Sequence, residues 1–80
     1  MNSAEQIRVV IVDEHALVRA GLRALLAGAA EVNVVADAAE ASEAVALVRQ
    51  TQAQVLITDR PLGDEDGQAI AELVTSAMIH

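Results

Sequence analysis

Cysteine, lysine and all three aromatic residues are absent from this chain of 80 residues. Without cysteine there can be neither a disulfide framework nor a thiolate metal site. Without Phe, Tyr or Trp the core must be built from smaller side chains, and hydrophobic residues make up 54% of the sequence. No apolar run approaches the ~20 residues that span a bilayer, and the polar residues 1–6 are not typical of a signal peptide. We therefore expect one soluble, cytoplasmic domain.

Positive charge is also scarce, because the only basic residues other than histidine are five arginines against twelve acids. The formal net charge is −7. Proteins that bind nucleic acid usually present a basic surface to the phosphate backbone. Direct DNA or RNA binding by this segment is therefore not expected.

Apolar runs and helical spacings alternate along the chain. A β-branched run, IRVVIV, opens the series and is typical of a strand covered on both faces. The pattern predicts strands at about 7–12, 32–36 and 54–58 and helices at about 16–27, 42–52 and 67–78. This βαβαβα order predicts a single α/β unit over residues 1–80, with a parallel sheet and right-handed crossovers. Gly21 within the first helix suggests a close approach of that helix to the sheet.

Acidic residues follow two of the predicted strands. Asp13 and Glu14 come directly after the first strand, and Asp59 follows the third. The carboxyl ends of parallel strands carry the functional groups of such sheets, so these three carboxylates could meet. Clustered carboxylates with no cysteine favour a hard cation such as Mg²⁺. From spacing alone, a metal site and a set of helix-capping and turn residues are equally supported.

Two segments resemble the receiver domain of response regulators of the NarL/FixJ (LuxR-type) group. Residues 7–26, IRVVIVDEHALVRAGLRALL, are similar to the opening of that domain, and residues 55–67, VLITDRPLGDEDG, are similar to its phosphorylation loop. The resemblance covers nearly the whole chain. It implies a three-layer, flavodoxin-like fold with strand order 2-1-3 in the part present.

The same resemblance implies a role for each acidic residue. Asp59 corresponds to the phosphoacceptor, which takes a phosphoryl group from a histidine kinase. Glu14 would bind Mg²⁺ directly, although the family usually has a shorter aspartate there, and Asp13 would bind it through water. The backbone carbonyl of Pro61 would complete the protein ligands. Such a domain is a signalling phosphoprotein rather than an enzyme in the ordinary sense, and its full-length relatives regulate transcription.

Two further functional residues of the receiver family, a switch Ser/Thr and a lysine, have no counterpart in this sequence. The resemblance predicts that the chain stops after the third helix, which leaves no switch Ser/Thr and no phosphate-binding lysine. The third strand would then be an open edge with Val55, Leu56 and Ile57 exposed, and open edges favour pairing with another chain. We therefore expect a homo-oligomer, such as a homodimer, through this edge.

Two alternatives remain at this point. The chain could act as a phosphorylation-independent dimerisation or protein-interaction module. It could also be a small flavodoxin-like ligand-binding protein, although it has neither aromatic residues to stack a flavin nor a glycine-rich phosphate loop. His15, beside the acidic pair, is expected to begin the first helix and face solvent.

Overall fold

The computed structural model of the chain describes residues 6–59 and the backbone of residues 75–78. The described residues form four strands: β1 (Ile7–Val12), β2 (Val32–Ala38), β3 (Val55–Thr58) and β4 (Thr75–Met78). Two α-helices join the first three, α1 (Ala16–Ala27) and α2 (Ala44–Thr51), and a 3₁₀ turn at Ala41–Glu43 leads into α2. Within the described residues, neither helix is long and apolar enough to cross a membrane.

The strands form one parallel sheet in the order β2-β1-β3-β4. The predicted parallel sheet with order 2-1-3 is therefore confirmed. The observed β1 and α1 have the predicted bounds, whereas β2 extends two residues further, to Ala38. The predicted start of the second helix at residue 42 falls inside the 3₁₀ turn, and α2 itself begins at Ala44.

The structure corrects the prediction for the end of the chain. Thr75–Met78, assigned from sequence to the end of a helix over 67–78, form β4 and pair residue by residue with Val55–Thr58. A four-residue segment is too short for periodicity to separate a last helical turn from a strand. The edge of β3 offers backbone hydrogen bonds that only a strand can take. The rest of the predicted third helix lies outside the described residues.

Pairing with β4 also removes the basis for oligomerisation through the edge of β3. That prediction required unpaired backbone groups along Val55–Thr58, and these residues are instead paired on both sides, with β1 and with β4. The expectation of a homo-oligomer through this edge is therefore wrong.

The main core lies between the sheet and α2. The chain moves from β1 to β2 in one direction and from β2 to β3 in the other, so right-handed crossovers place α1 and α2 on opposite faces of the sheet. The buried residues on the α2 face form one cluster: Val10, Val12, Ala38, Ala44, Val48, Ala53 and Leu56. Alternation along β1 directs Val9 and Ile11, which are also buried, towards the α1 face.

Helix α1 lies on a much more open face. No residue of Ala16–Ala27 is buried, and Leu17 and Leu25 are 85% and 75% exposed. A Cβ atom added at Gly21 would meet no described atom within 4 Å. The predicted close approach of helix and sheet at this glycine is therefore wrong.

An irregularity in β2 controls which of its side chains face α1. Val9 pairs with Val34 but Val10 pairs with Ala36, so Val35 is an extra residue in the strand. This shift pairs Asp37 with Ile11, on the α1 face. In an unbroken register Asp37 would pair with Val12 and point into the apolar α2 face, where an unpaired carboxylate is costly.

Candidate metal and phosphoacceptor site

The carboxyl ends of β1 and β3 bring two of the predicted site residues together. Val12, the last residue of β1, pairs with Thr58, the last residue of β3. Asp13 and Asp59 therefore leave the sheet side by side. Asp13 is 5% exposed, whereas Asp59 is half-buried. The topology alone accounts for this meeting, because parallel strands end at the same edge.

Asp13 is held by hydrogen bonds on both its backbone and its side chain. Its N–H donates to the carbonyl of Ala38 at 3.0 Å, which extends the pairing of β1 and β2 beyond the strand end. Its carboxylate Oδ1 accepts the backbone N–H of His15 at 2.8 Å and lies 2.9 Å from the His15 ring Nδ1. The Arg19 guanidinium donates to the backbone carbonyl of Asp13 at 2.6 Å.

These contacts favour the ionised form of Asp13. The hydrogen bond from the His15 backbone is the largest influence and lowers the pKa of Asp13 below its ordinary value, against the opposing effect of burial. The His15 ring and the neighbouring Asp59 carboxyl lower the pKa further. Asp13 therefore carries a negative charge at neutral pH although it is almost fully buried.

A group of three possible metal ligands forms around Asp13. One ligand atom from each of Asp13, His15 and Asp59 lies within 4.8 Å of the other two. His15 begins α1 as its N-cap, and its side chain is 60% exposed, as the sequence suggested. Its ring nevertheless contacts Asp13, and spacing in the sequence could not show this, because it does not determine the direction of an exposed side chain.

Glu14 is the residue that the resemblance predicts to bind Mg²⁺ directly. It is not a member of the three-residue group, and its side chain is 48% exposed. Its Oε1 lies 3.7 Å from Nε2 of His15. Together with Asp59, Glu14 lines an open cavity of about 390 Å³ between the ends of β1, β2 and β3. Pro61, the predicted source of a carbonyl ligand, lies outside the described residues.

Two arginines of α1 form ion pairs with Asp37 of β2 next to this site. Nε of Arg19 lies 3.3 Å from Oδ1 of Asp37, and Arg23, one turn further along α1, hydrogen-bonds the other oxygen of Asp37. Since Arg19 also holds the Asp13 carbonyl, one side chain links the site, α1 and β2. The i, i+4 spacing of the arginines was visible in the sequence, but their partner depends on the irregularity in β2.

The family model of the response regulator receiver domain matches residues 9–78. The chain belongs to this family. Among similar curated receiver proteins, the transcriptional regulatory protein LiaR of Bacillus subtilis is 34% identical over 61 residues, which cover 76% of this chain and 29% of LiaR. The response regulator protein VraR of Staphylococcus aureus is 31% identical over 61 residues, with the same coverage of each chain. This receiver chain spans less than a third of either relative.

Solved receiver structures show the same fold. The signal receiver domain of NarL from Mycobacterium tuberculosis has a TM-score of 0.75 and 27% identity, over 96% of this chain and 71% of that one. A LuxR-family two-component response regulator from Aurantimonas sp. SI85-9A1 has a TM-score of 0.74 and 29% identity, over 95% of this chain and 61% of that one.

The donor atoms at this edge suit a divalent cation. Receiver domains typically bind Mg²⁺ at an acidic pocket, and here Asp13 and Asp59 provide two carboxylates, with Glu14 beside the cavity. Carboxylate oxygens and remaining waters are the ligands that Mg²⁺ prefers in proteins. The residues present therefore fit the ion that the family implies.

Proposed function

We propose that this receiver acts in two-component signalling by accepting a phosphoryl group on Asp59, with Mg²⁺ bound by Asp13, Glu14, Asp59 and the carbonyl of Pro61. The observation that carries the proposal is the meeting of Asp13 and Asp59 at one edge of a parallel sheet, in a chain of the receiver family. A histidine kinase is the proposed phosphodonor partner.

The chemistry assigned to Asp59 is a direct displacement at phosphorus. A carboxylate oxygen of Asp59 forms a bond to the phosphorus, the bond between phosphorus and the donor nitrogen or oxygen breaks, and the donor leaves with that electron pair. The product is an acyl phosphate on Asp59. Since Asp59 is half-buried and lines the open cavity with Glu14, its carboxylate is accessible to a donor from solvent. When bound, Mg²⁺ neutralises charge on the transferring phosphoryl oxygens.

The role proposed for Asp13 follows from its surroundings. Its lowered pKa keeps a negative charge next to Asp59, and this charge attracts the cation. Its hydrogen bonds to Ala38 and His15 and the contact of Arg19 with its carbonyl hold the carboxylate in place before an ion binds. A site organised in advance does not have to reorganise as the phosphoryl group arrives.

Membership of the receiver family supports a role in signal transduction, whereas the individual steps above are part of the proposal. LiaR is a transcriptional regulatory protein and VraR is a response regulator protein, but each is more than three times as long as the matched segment. We propose that the present segment supplies the phosphoacceptor part of such an activity. With a net charge of −7, it is not proposed to contact nucleic acid itself.

Intact-mass measurement tests the phosphoacceptor directly. The chain is incubated with Mg²⁺ and either acetyl phosphate or phosphoramidate, and we expect one phosphoryl adduct that is absent from Asp59→Asn. Asp13→Asn or added EDTA should slow formation of the adduct strongly. Glu31→Gln, which changes an exposed acid in the turn before β2, is the control and should behave as the wild type.

Two outcomes would contradict the proposal. An adduct that persists in Asp59→Asn would place the modification on another residue. The absence of any adduct at saturating donor and Mg²⁺ would instead favour a phosphorylation-independent interaction role.

A further inference from the structure

His15 contributes the one nitrogen ligand among the three clustered donors at the edge of the sheet. We infer that His15 binds the divalent ion of this site directly and shifts the preference of the site from Mg²⁺ towards later first-row transition ions such as Co²⁺ or Zn²⁺. The inference rests on the proposed function, since it uses the same site, but it concerns which ion the site selects.

The distances between the three donors are close to those that one ion requires. Ligand atoms about 2.1 Å from an ion lie ~3 Å apart at right angles and ~4.2 Å apart across it. The donor atoms of Asp13, His15 and Asp59 all lie within 4.8 Å of one another. Small side-chain rotations would therefore bring all three onto one ion, with no change in the sheet.

Asp13 and His15 differ in their freedom to make that adjustment. The Asp13 side chain is 6% exposed and is anchored through its backbone on both sides, so it defines the position of the ion. The His15 side chain is 60% exposed, so its ring can turn once its contacts with the side chains of Asp13 and Glu14 change. The backbone N–H of His15 can continue to hold Asp13 while the ring turns to the ion.

The nitrogen and oxygen donors present determine which ion binds with higher affinity. Mg²⁺ binds oxygen and keeps its waters, so an imidazole nitrogen adds little to its affinity. Imidazole is a good ligand for zinc, copper, iron and nickel, and sites that combine nitrogen and oxygen generally favour later first-row ions. The imidazole of His15 would add a nitrogen donor to the oxygen donors proposed for this ion, with Glu14 and solvent on the cavity side.

A different role for His15 predicts a different result. The ring could act only through its hydrogen bond to Asp13, which would orient that carboxylate without touching the ion. In that case loss of the ring would weaken binding of Mg²⁺ and of transition ions to the same degree. Direct ligation instead predicts a selective loss for the transition ions.

The experiment compares ion affinities in three forms of the chain at one fixed pH. Isothermal titration calorimetry measures binding of Mg²⁺ and Co²⁺, and the visible absorption of Co²⁺ reports a nitrogen ligand independently of any phosphorylation. His15→Gln removes the imidazole and keeps the backbone N–H that donates to Asp13. His80→Gln, which changes the second histidine of the chain, is the matched control.

We expect the wild type and His80→Gln to bind Co²⁺ more tightly than Mg²⁺. In His15→Gln the Co²⁺ affinity should fall by about tenfold or more, because loss of a direct ligand should cost at least as much as loss of an outer-shell partner. The Mg²⁺ affinity should change by less than about twofold, because this ion gains little from nitrogen. The Co²⁺ spectrum should change in His15→Gln alone.

Equal losses for both ions in His15→Gln, equal losses in the two histidine variants, or no preference for Co²⁺ in the wild type would each overturn the inference. Failure of the proposed function gives a different pattern. If Asp59 forms a phosphoryl adduct with Mg²⁺ but His15→Gln leaves ion preference unchanged, only the inference fails. If the selective loss occurs but no adduct forms, the inference stands and the phosphoacceptor function fails.

Discussion

Within the described part of the chain, helices α1 and α2 contact the sheet in different ways. Helix α2 has only eight residues, yet Ala44 and Val48 are fully buried against the strands. Helix α1 has twelve residues and none of them is buried, but two of its arginines contact Asp37 of β2. Apolar side chains of α2 itself are buried against the sheet, whereas α1 contacts β2 through ion pairs on a face where Val9 and Ile11 of β1 are also buried.

Because of this difference, we expect the residues that determine folding stability and the residues that position the site to be largely different. The α2 face contains the main apolar cluster, whereas the site is connected to α1 through Arg19, which contacts both Asp13 and Asp37. Substitutions on the α2 face should therefore act mainly on the free energy of unfolding. Substitutions of the α1 contacts should cost less stability. The chain has no aromatic residue, so its unfolding cannot be followed by intrinsic fluorescence. Far-UV circular dichroism, which reports secondary structure, is the suitable measurement.

The largest effect is expected for Leu56→Ala. Leu56 is fully buried in the α2-face cluster, so its truncation should lower the free energy of unfolding by about 2–5 kcal/mol. Urea unfolding measures this loss. A variant as stable as the wild type would show that the α2 face is not the main source of stability.

A smaller effect is expected for Asp37→Ala. This substitution removes the partner of both Arg19 and Arg23, which are partly exposed and can return to solvent. The free energy of unfolding should fall by about 1 kcal/mol, since partly exposed ion pairs contribute little each. Glu31→Ala removes the same charge from an exposed position and serves as the control. Equal stability of the two variants would mean that the arginine contacts do not hold α1.

The smallest effect is expected for Leu25→Ala, the same chemical change as Leu56→Ala on the opposite face. Leu25 is 75% exposed, so its truncation removes little buried surface. The free energy of unfolding should change by less than about 0.5 kcal/mol in the same urea experiment. A loss similar to that of Leu56→Ala would show that α1 is covered in solution.

Much of the sheet and half of the site follow from sequence patterns. The apolar run of β1 and the helical spacing of α1 are long enough to define these elements, and alternation of strands and helices predicts a parallel sheet. The order β2-β1-β3 comes from the resemblance to receiver domains. Parallel topology then brings Asp13 and Asp59 to the same edge without further information. These predictions depend on patterns that extend over many residues.

The remaining features depend on single residues or short segments. Nothing in the composition of β2 shows that Val35 is an extra residue, although this places Asp37 opposite Ile11. The spacing of His15 from Asp13 does not determine where its exposed ring points. Thr75–Met78 are too few to show a period of their own, and their strand structure depends on pairing with Val55–Thr58.

The central claim is that a divalent ion binds where β1 and β3 end. The most direct measurement is a titration of the ¹⁵N-labelled chain with less than one equivalent of Mn²⁺, whose unpaired electrons broaden nearby amide signals. The amides of Asp13, Glu14 and Asp59 should broaden first and recover when EDTA is added. Broadening that is equally strong at the exposed acids Glu31 and Glu43, or strongest there, would contradict a specific site at this edge of the sheet.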